Sequence, residues 1–348
     1  MAVFGLEVPG SDAADRDGDL PGLVDLERVG ELPIRLVDEV KGKPQPWKPK
    51  KRKALKLATA LHGLGQNKKA NRVYWCSDEL VFAECPDTGK KKLKSASFCR
   101  ERLCVMCSWR LSIKTFFQLS QVLDVAQEEN PDLIPVFLTL TIKNCAGQDL
   151  AATLDNMFNG WAKLTEHRRV KNAIKGWFRA LEVTYNRDAD TYHPHFHAIM
   201  LVDKMYFFNK KAYLHTEDWV HIWRTSCRLA YDPICDIRAV RNKSQHRKRK
   251  HVAEVAKYTV KDSDYIHEDE ELTMRVVDVL GRALFRRRLF AYGGVLKVIA
   301  KRLKADQEPE NLINIDEDEA TMRDDVAQAL IAYKWDFGLM DYVREGER

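Results

Sequence analysis

The chain has 348 residues, 45% hydrophobic and 31% charged, with a formal net charge of +6. That length supplies two or three domains and a core too large to need disulfide staples. No apolar run approaches the length of a membrane span, which excludes an integral membrane helix.

Residues 1–40 begin acidic and show no hydrophobic period, the pattern of a poorly ordered segment. The start Met1-Ala2-Val3-Phe4-Gly5 has no secretory character, so the cysteines are expected as reduced thiols and the protein as cytoplasmic. A second region, 41–130, carries the positive run Lys48-Pro49-Lys50-Lys51-Arg52-Lys53, for which a solvated loop and a DNA contact are both open readings. It also carries Cys99-x4-Cys104-x2-Cys107 with Cys76 upstream, a tight pair plus two distant thiols that suits a tetrahedral structural zinc site. Cys85 is an alternative fourth thiol, and a scatter of buried reduced cysteines is the bland alternative to zinc. A helix is predicted through Leu111–Phe117.

A third region begins near Asn130-Pro131-Asp132 and runs to about 270. Its predicted elements are a strand over 136–144, a helix over 150–171 and strands over 179–186 and 193–202. A helix near 216–229 and a strand over 234–240 follow. Leu154, Met157, Phe158, Trp161 and Leu164 form one stripe of the first helix and read as core, as do Trp219, Ile222 and Trp223 of the second. Strand-helix-strand-strand-helix-strand implies an antiparallel sheet with helices on one face, an α+β ferredoxin-like core.

The chemistry concentrates at His193-Pro194-His195-Phe196-His197. Alternate residues of a strand share a face, so the three imidazoles project together, and neutral imidazole is a common ligand for divalent metals. The preceding strand, read as the other arm of a hairpin, places Glu182 beside them, where a carboxylate completes a metal site. Farther on, Arg241–His251 is strongly basic and abuts a short helix over 251–262. On that helix Glu254 and Tyr258 stand four apart, and Lys257 and Lys261 form a second such pair suited to holding a phosphate near the tyrosine hydroxyl. Residues 271–348 read as a helical C-terminal region: Arg282–Lys304 is a basic helix interrupted by Gly293-Gly294, 314–319 is an acidic linker, and the end is helix-like.

Taken in order, Phe137-Leu138-Thr139-Leu140-Thr141, His193-Pro194-His195-Phe196-His197 and Glu254-x-x-Lys257-Tyr258-x-x-Lys261 resemble the three motifs of plasmid rolling-circle replication initiators of the HUH endonuclease superfamily. Phe98–Cys107, Gly281–Phe285 and Tyr292-Gly293-Gly294 extend the likeness to about residues 70–300. The resemblance implies an HUH nuclease core over 131–270 and prefers Cys76 to Cys85 as the fourth zinc ligand. It implies that Tyr258 attacks a phosphodiester of single-stranded origin DNA, leaving a 5′-phosphotyrosine link and a free 3′-OH. His195, His197 and Glu182 would hold Mg²⁺ or Mn²⁺, and Glu254 would activate water in the terminating cleavage. Host helicase and DNA polymerase are the expected partners; no GxxxxGK loop predicts helicase activity in this chain. Some relatives use two tyrosines, which makes Tyr265 a lesser candidate nucleophile, and His193 stays outside the metal set.

Two other readings compete. A histidine-triad nucleotide hydrolase or transferase would use a histidine nucleophile and no metal, although Pro194 fits that pattern poorly. A non-catalytic zinc-containing DNA-binding protein would need only the basic runs and the cysteines. Tyr258→Phe separates them, since it abolishes cleavage in the first reading alone.

Overall fold

Continuous apolar sequence after the histidines decides the architecture. In the computed structural model, which describes residues 33–40, 42–85, 89–239, 252–253, 255–256, 259–306, 312–313 and 329–345, that sequence lies at the centre of a sheet. Contacts divide the chain into Met1–Ile34 and Arg35–Arg348, and among the described residues the second unit carries every helix and both larger sheets. Its main sheet is antiparallel, in the order β8 (Cys235–Ala239), β5 (Leu133–Thr141), β7 (Thr191–Asp203), β6 (Ile174–Asn186) and β9 (Phe290–Gly293). The chain is therefore a mixed α/β protein built on antiparallel sheets.

Strand β7 is buried on both sides. Phe196, Ala198, Met200 and Val202 share one core with Leu138, Leu140, Leu181 and Val183. Two helices, α4 (Leu150–Glu166) and α6 (Thr216–Cys227), cover that face with Leu154, Met157, Trp161, Trp219, Ile222 and Trp223. Ile199 and Leu201 point the other way and join Phe137 and Phe178 in a second core. There α3 (Val105–Glu129) contributes Leu119 and Leu123, and α8 (Gly294–Arg302) contributes Leu296 and Ile299. Helices thus pack on both faces, not on one as the element order suggested. The reason is visible in Ala198-Ile199-Met200-Leu201-Val202, which does not alternate and so must be covered twice. Each such side chain taken out of water contributes about 1.5–3 kcal/mol before the entropy of ordering it is counted.

Where the sequence suggested an interrupted helix over 282–304, three elements stand: α7 (Glu270–Ala283), then β9, then α8. Strand β9 pairs with β6 from Trp177↔Gly293 to Ala180↔Phe290. The glycine pair serves close approach. A Cβ on Gly293 would lie 2.0 Å from the Trp177 ring, and Gly294 has φ +56 with its missing Cβ 2.3 Å from the Lys175 carbonyl oxygen.

The described end of the chain is not helical either. A second sheet runs β11 (Asp341–Arg344), β10 (Ala329–Asp336), β3 (Glu79–Glu84), β4 (Lys91–Ala96). Tyr333 and Trp335 are buried and Lys334 is exposed, the period of a strand, and Asp336 caps the turn by accepting from the N–H groups of Gly338 and Leu339. The C-terminal strands thereby complete the sheet of the cysteine-bearing region.

The first basic run forms the opening of α1 (Trp47–Gly63) and makes internal bonds. Lys48 pairs with Asp341 at 2.6 Å, Lys50 and Lys53 grip Asp262 at 2.7 and 2.8 Å, and Lys51 is wholly buried. The second run, 241–251, lies outside the described residues. Among the described residues no helix is long and apolar enough to cross a membrane.

Candidate functional site

The hairpin β6–β7 builds the first site by register. The turn between its strands is held by Asn186, whose side chain accepts from the Ala189 N–H at 3.0 Å. Glu182 stands opposite His195, Ala180 opposite His197 and Thr184 opposite His193. From the other side Thr139 of β5 stands opposite His197. The histidines occupy the same face as Ile199 and Leu201, at the end of β7 where polar residues replace the apolar ones.

Three lone-pair donors meet there. His197 Nε2 lies 3.0 Å from Glu182 Oε2, His195 Nε2 lies 3.4 Å from the same oxygen, and the two Nε2 atoms are 3.1 Å apart. A divalent cation ~2.1 Å from each donor would hold neighbouring ligands ~3.0 Å apart in an octahedron and ~3.4 Å apart in a tetrahedron. The triangle therefore has the dimensions of one face of a coordination shell. Tautomers agree with this use. His195 Nδ1 faces the His193 carbonyl at 3.3 Å, and a carbonyl only accepts, so the proton sits on Nδ1 and Nε2 keeps its lone pair. Thr139 Oγ1, 3.1 Å from His197 Nδ1, holds the second ring in place.

The carboxylate is tuned for the role. Burial by itself would raise the Glu182 carboxyl, but the adjoining His195 and His197 rings outweigh it and hold the group well below the usual carboxylate range. Lys261 Nζ, half-exposed, lies 3.5 Å from the other oxygen, Oε1. His193 lies against His195, the rings tilted by 31° with centroids 5.3 Å apart, but offers no atom to the triangle, and burial and the neighbouring His195 push its pKa down.

Of the predicted catalytic segment, Glu254, Lys257 and Tyr258 lie outside the described residues. Their covalent neighbours are placed. Ala256 N–H donates to the Val252 carbonyl at 2.9 Å, a helical turn, and the Thr259 carbonyl accepts from Val183 N–H at 2.7 Å. Thr259 is thus tied to β6 at the residue next to Glu182. Tyr265 is buried at 1% exposure, and its hydroxyl donates to the Leu103 carbonyl at 2.6 Å. It joins the cysteine loop to this segment.

The second site gathers Cys76, Cys99, Cys104 and Cys107, while Cys85 stands apart. Cys76 follows α2 (Asn67–Tyr74), Cys99 follows β4, Cys104 caps α3 and Cys107 sits in the first turn of α3. The Sγ–Sγ separations are 3.6 Å for Cys76–Cys107, 3.7 Å for Cys99–Cys107 and 3.6 Å for Cys76–Cys104. Disulfide sulfurs lie ~2.05 Å apart; tetrahedral zinc–thiolate bonds of ~2.3 Å put sulfurs ~3.8 Å apart. The cluster matches the second. Backbone N–H groups of Cys99, Arg100 and Glu101 point at Cys76, Cys107 and Cys99 sulfurs at 3.4, 3.3 and 3.5 Å, and Arg100 takes φ 57 to make that turn. Hydrogen bonds from Cys104, Cys107 and Cys99 draw the Cys76 thiol well down, which favours thiolate at the centre.

Two contributors escaped sequence reasoning. Thr139 lies inside the first quoted motif, but only the pairing of β5 with β7 reveals its bond to His197. Lys51 looked like one more basic residue. Its ammonium is buried and donates to the Tyr74 and Cys76 carbonyls, both at 2.8 Å. Burial pushes its pKa down, against the opposing pull of Asp78 and the cysteines.

Comparison with known proteins agrees with these motifs. The model of a family described as "Replication protein" matches residues 90–343. "Protein rep" of Bacillus amyloliquefaciens is 35% identical over 328 residues, covering 87% of this chain and 94% of its own length. "Protein rep" of Streptococcus pneumoniae is 37% identical over 273 residues, 78% of this chain and 83% of its own. A "Replication protein" of Staphylococcus aureus is 33% identical over 216 residues, 61% and 92%. No solved structure matches the chain.

Proposed function

The chain belongs to the replication protein family, and from that premise we propose that it initiates plasmid rolling-circle replication by nicking and transferring single-stranded origin DNA through Tyr258. The observation that carries the proposal is the convergence of Glu182 Oε2, His195 Nε2 and His197 Nε2 beside the strand-bound Thr259, one residue after Tyr258. The main sheet is, in this reading, the HUH nuclease core. Family membership points away from the histidine-triad alternative.

Glu182, His195 and His197 would hold Mg²⁺ or Mn²⁺, which would supply positive charge to the scissile phosphate. The protein's own groups do the rest. Tyr258 gives up its phenolic proton and its oxygen bonds to phosphorus; the bond from phosphorus to the 3′-oxygen breaks, and that oxygen leaves as a 3′-OH after taking a proton. A phenol with pKa ~10 is a weak nucleophile near neutrality, so the cationic Lys261 beside Glu182, and Lys257 by spacing, favour the phenolate and steady the phosphate. Glu254 serves the terminating cleavage as the base that activates water. The extended 3′ end passes to a host polymerase, with a host helicase opening the duplex. Zinc, held by Cys76, Cys99, Cys104 and Cys107, would serve structure, because four thiolates suffice for a closed tetrahedral site.

Cleavage of labelled single-stranded origin DNA tests the proposal, run with Mn²⁺, with EDTA and with His195→Ala and His197→Ala. Cleavage only by the wild type with metal is expected. Undiminished cutting in EDTA or by the histidine variants overturns it.

A further inference from the structure

The face of β6 that carries Glu182 continues through Ala180 to Phe178, and the beginning of α3 lies across it. Between them is a cavity of about 150 Å³. Phe178 and Ala180 form one wall, and Ser108, Leu111 and Ser112 of α3 form the other. Arg100 of the cysteine loop is exposed at the rim, and Thr259 closes the side nearest the metal-ligating triangle. Nothing in the nicking mechanism uses this space.

We propose that the cavity takes an unstacked pyrimidine base from the nucleotide next to the scissile phosphate, so that the cysteine loop and α3 take part in choosing the cleavage site. The inference rests on the nuclease reading above. Size favours a single six-membered ring, because an apolar cavity of ~150 Å³ accepts benzene, and a fused purine is larger. The walls suit the ring: Leu111 and Phe178 offer apolar faces. Ser108 Oγ donates to the Arg102 carbonyl and Ser112 Oγ to the Trp109 carbonyl, which leaves both hydroxyl oxygens as acceptors for base N–H groups. Position suits the nucleotide, since Ala180 precedes Glu182 by two strand residues, ~7 Å.

Filling the cavity from either wall tests this. Labelled oligothymidylate, oligodeoxyadenylate and an all-abasic strand of equal length are titrated onto wild type, Ser112→Phe, Ala180→Leu and Ser112→Ala. Zinc content and unfolding midpoints establish which variants are folded; the two walls give two chances, because among the described residues Ser112 bonds within its own helix. Wild type should prefer thymidylate to the abasic strand by about tenfold more than the filled variants do, with abasic and adenylate affinities unchanged, and Ser112→Ala, which keeps the cavity open but removes one acceptor, should fall between them. An equal preference in wild type and filled variants overturns the proposal. Origin cleavage by the wild type is scored in parallel: its absence sinks the nuclease reading, whereas cleavage with an unmoved preference sinks only the pocket.

Discussion

Removing one oxygen, by Tyr265→Phe, separates a structural tyrosine from a second nucleophile. The Tyr265 hydroxyl donates at 2.6 Å to the Leu103 carbonyl, and the ring is 1% exposed. Phenylalanine keeps the ring, so no cavity opens; the loss is one buried hydrogen bond and a carbonyl left without that donor. Such a change costs about 1–3 kcal/mol, which for a large domain lowers the melting temperature by roughly 2–5 °C. Urea unfolding at constant m-value reads the stability, and initial rates on single-stranded origin DNA read the chemistry. The structure requires a lower midpoint with first-cleavage rate and strand transfer retained. Loss of strand transfer with an unmoved midpoint would refute the reasoning and make Tyr265 a nucleophile.

Three further outcomes rest on particular contacts. Thr139→Val removes the group that orients His197 through Nδ1 while keeping a β-branched strand residue, so Mn²⁺ affinity measured by calorimetry should fall about 10–100-fold with the fold intact. Asp262 is depressed because Lys50 and Lys53 outweigh the effect of its burial. Its contribution is therefore complete above an unfolded pKa of ~3.9 and is lost as pH falls through the lower folded value. Asp262→Asn should destabilise by about 1–3 kcal/mol at pH ~7, and urea midpoints of variant and wild type should converge below pH ~4. Cys104→Ser, at the cap of α3 and wholly buried, should abolish stoichiometric zinc on elemental analysis and lower stability by several kcal/mol, about the effect of chelating the wild type.

The histidine face was legible because a strand has period two and a short hairpin fixes register: once Asn186–Asp190 is a turn, Glu182 falls opposite His195. The cysteine group was legible as a spacing, while only the fold shows that Cys76 and not Cys85 comes into range of the others. What stayed hidden depends on distant partners. Gly293-Gly294 looked like a helix break, whereas the glycines make room for the Trp177 ring and the Lys175 carbonyl. Lys48–Lys53 looked like surface charge, but its counter-charges are Asp262 and Asp341, more than 200 residues away along the chain. The C-terminal hairpin was readable in principle: Tyr333 and Trp335 alternate as a strand does, and their burial partners come from β3 and β11.

The account stands most directly on the identity of the nucleophile. Protein incubated with Mn²⁺ and single-stranded origin DNA should be digested, and the nucleotide-bearing peptide sequenced by mass spectrometry. A 5′-phosphotyrosine adduct on Tyr258, absent from Tyr258→Phe, is the predicted result. An adduct on a histidine or on Tyr265, or cleavage by Tyr258→Phe at the wild-type rate, would contradict it.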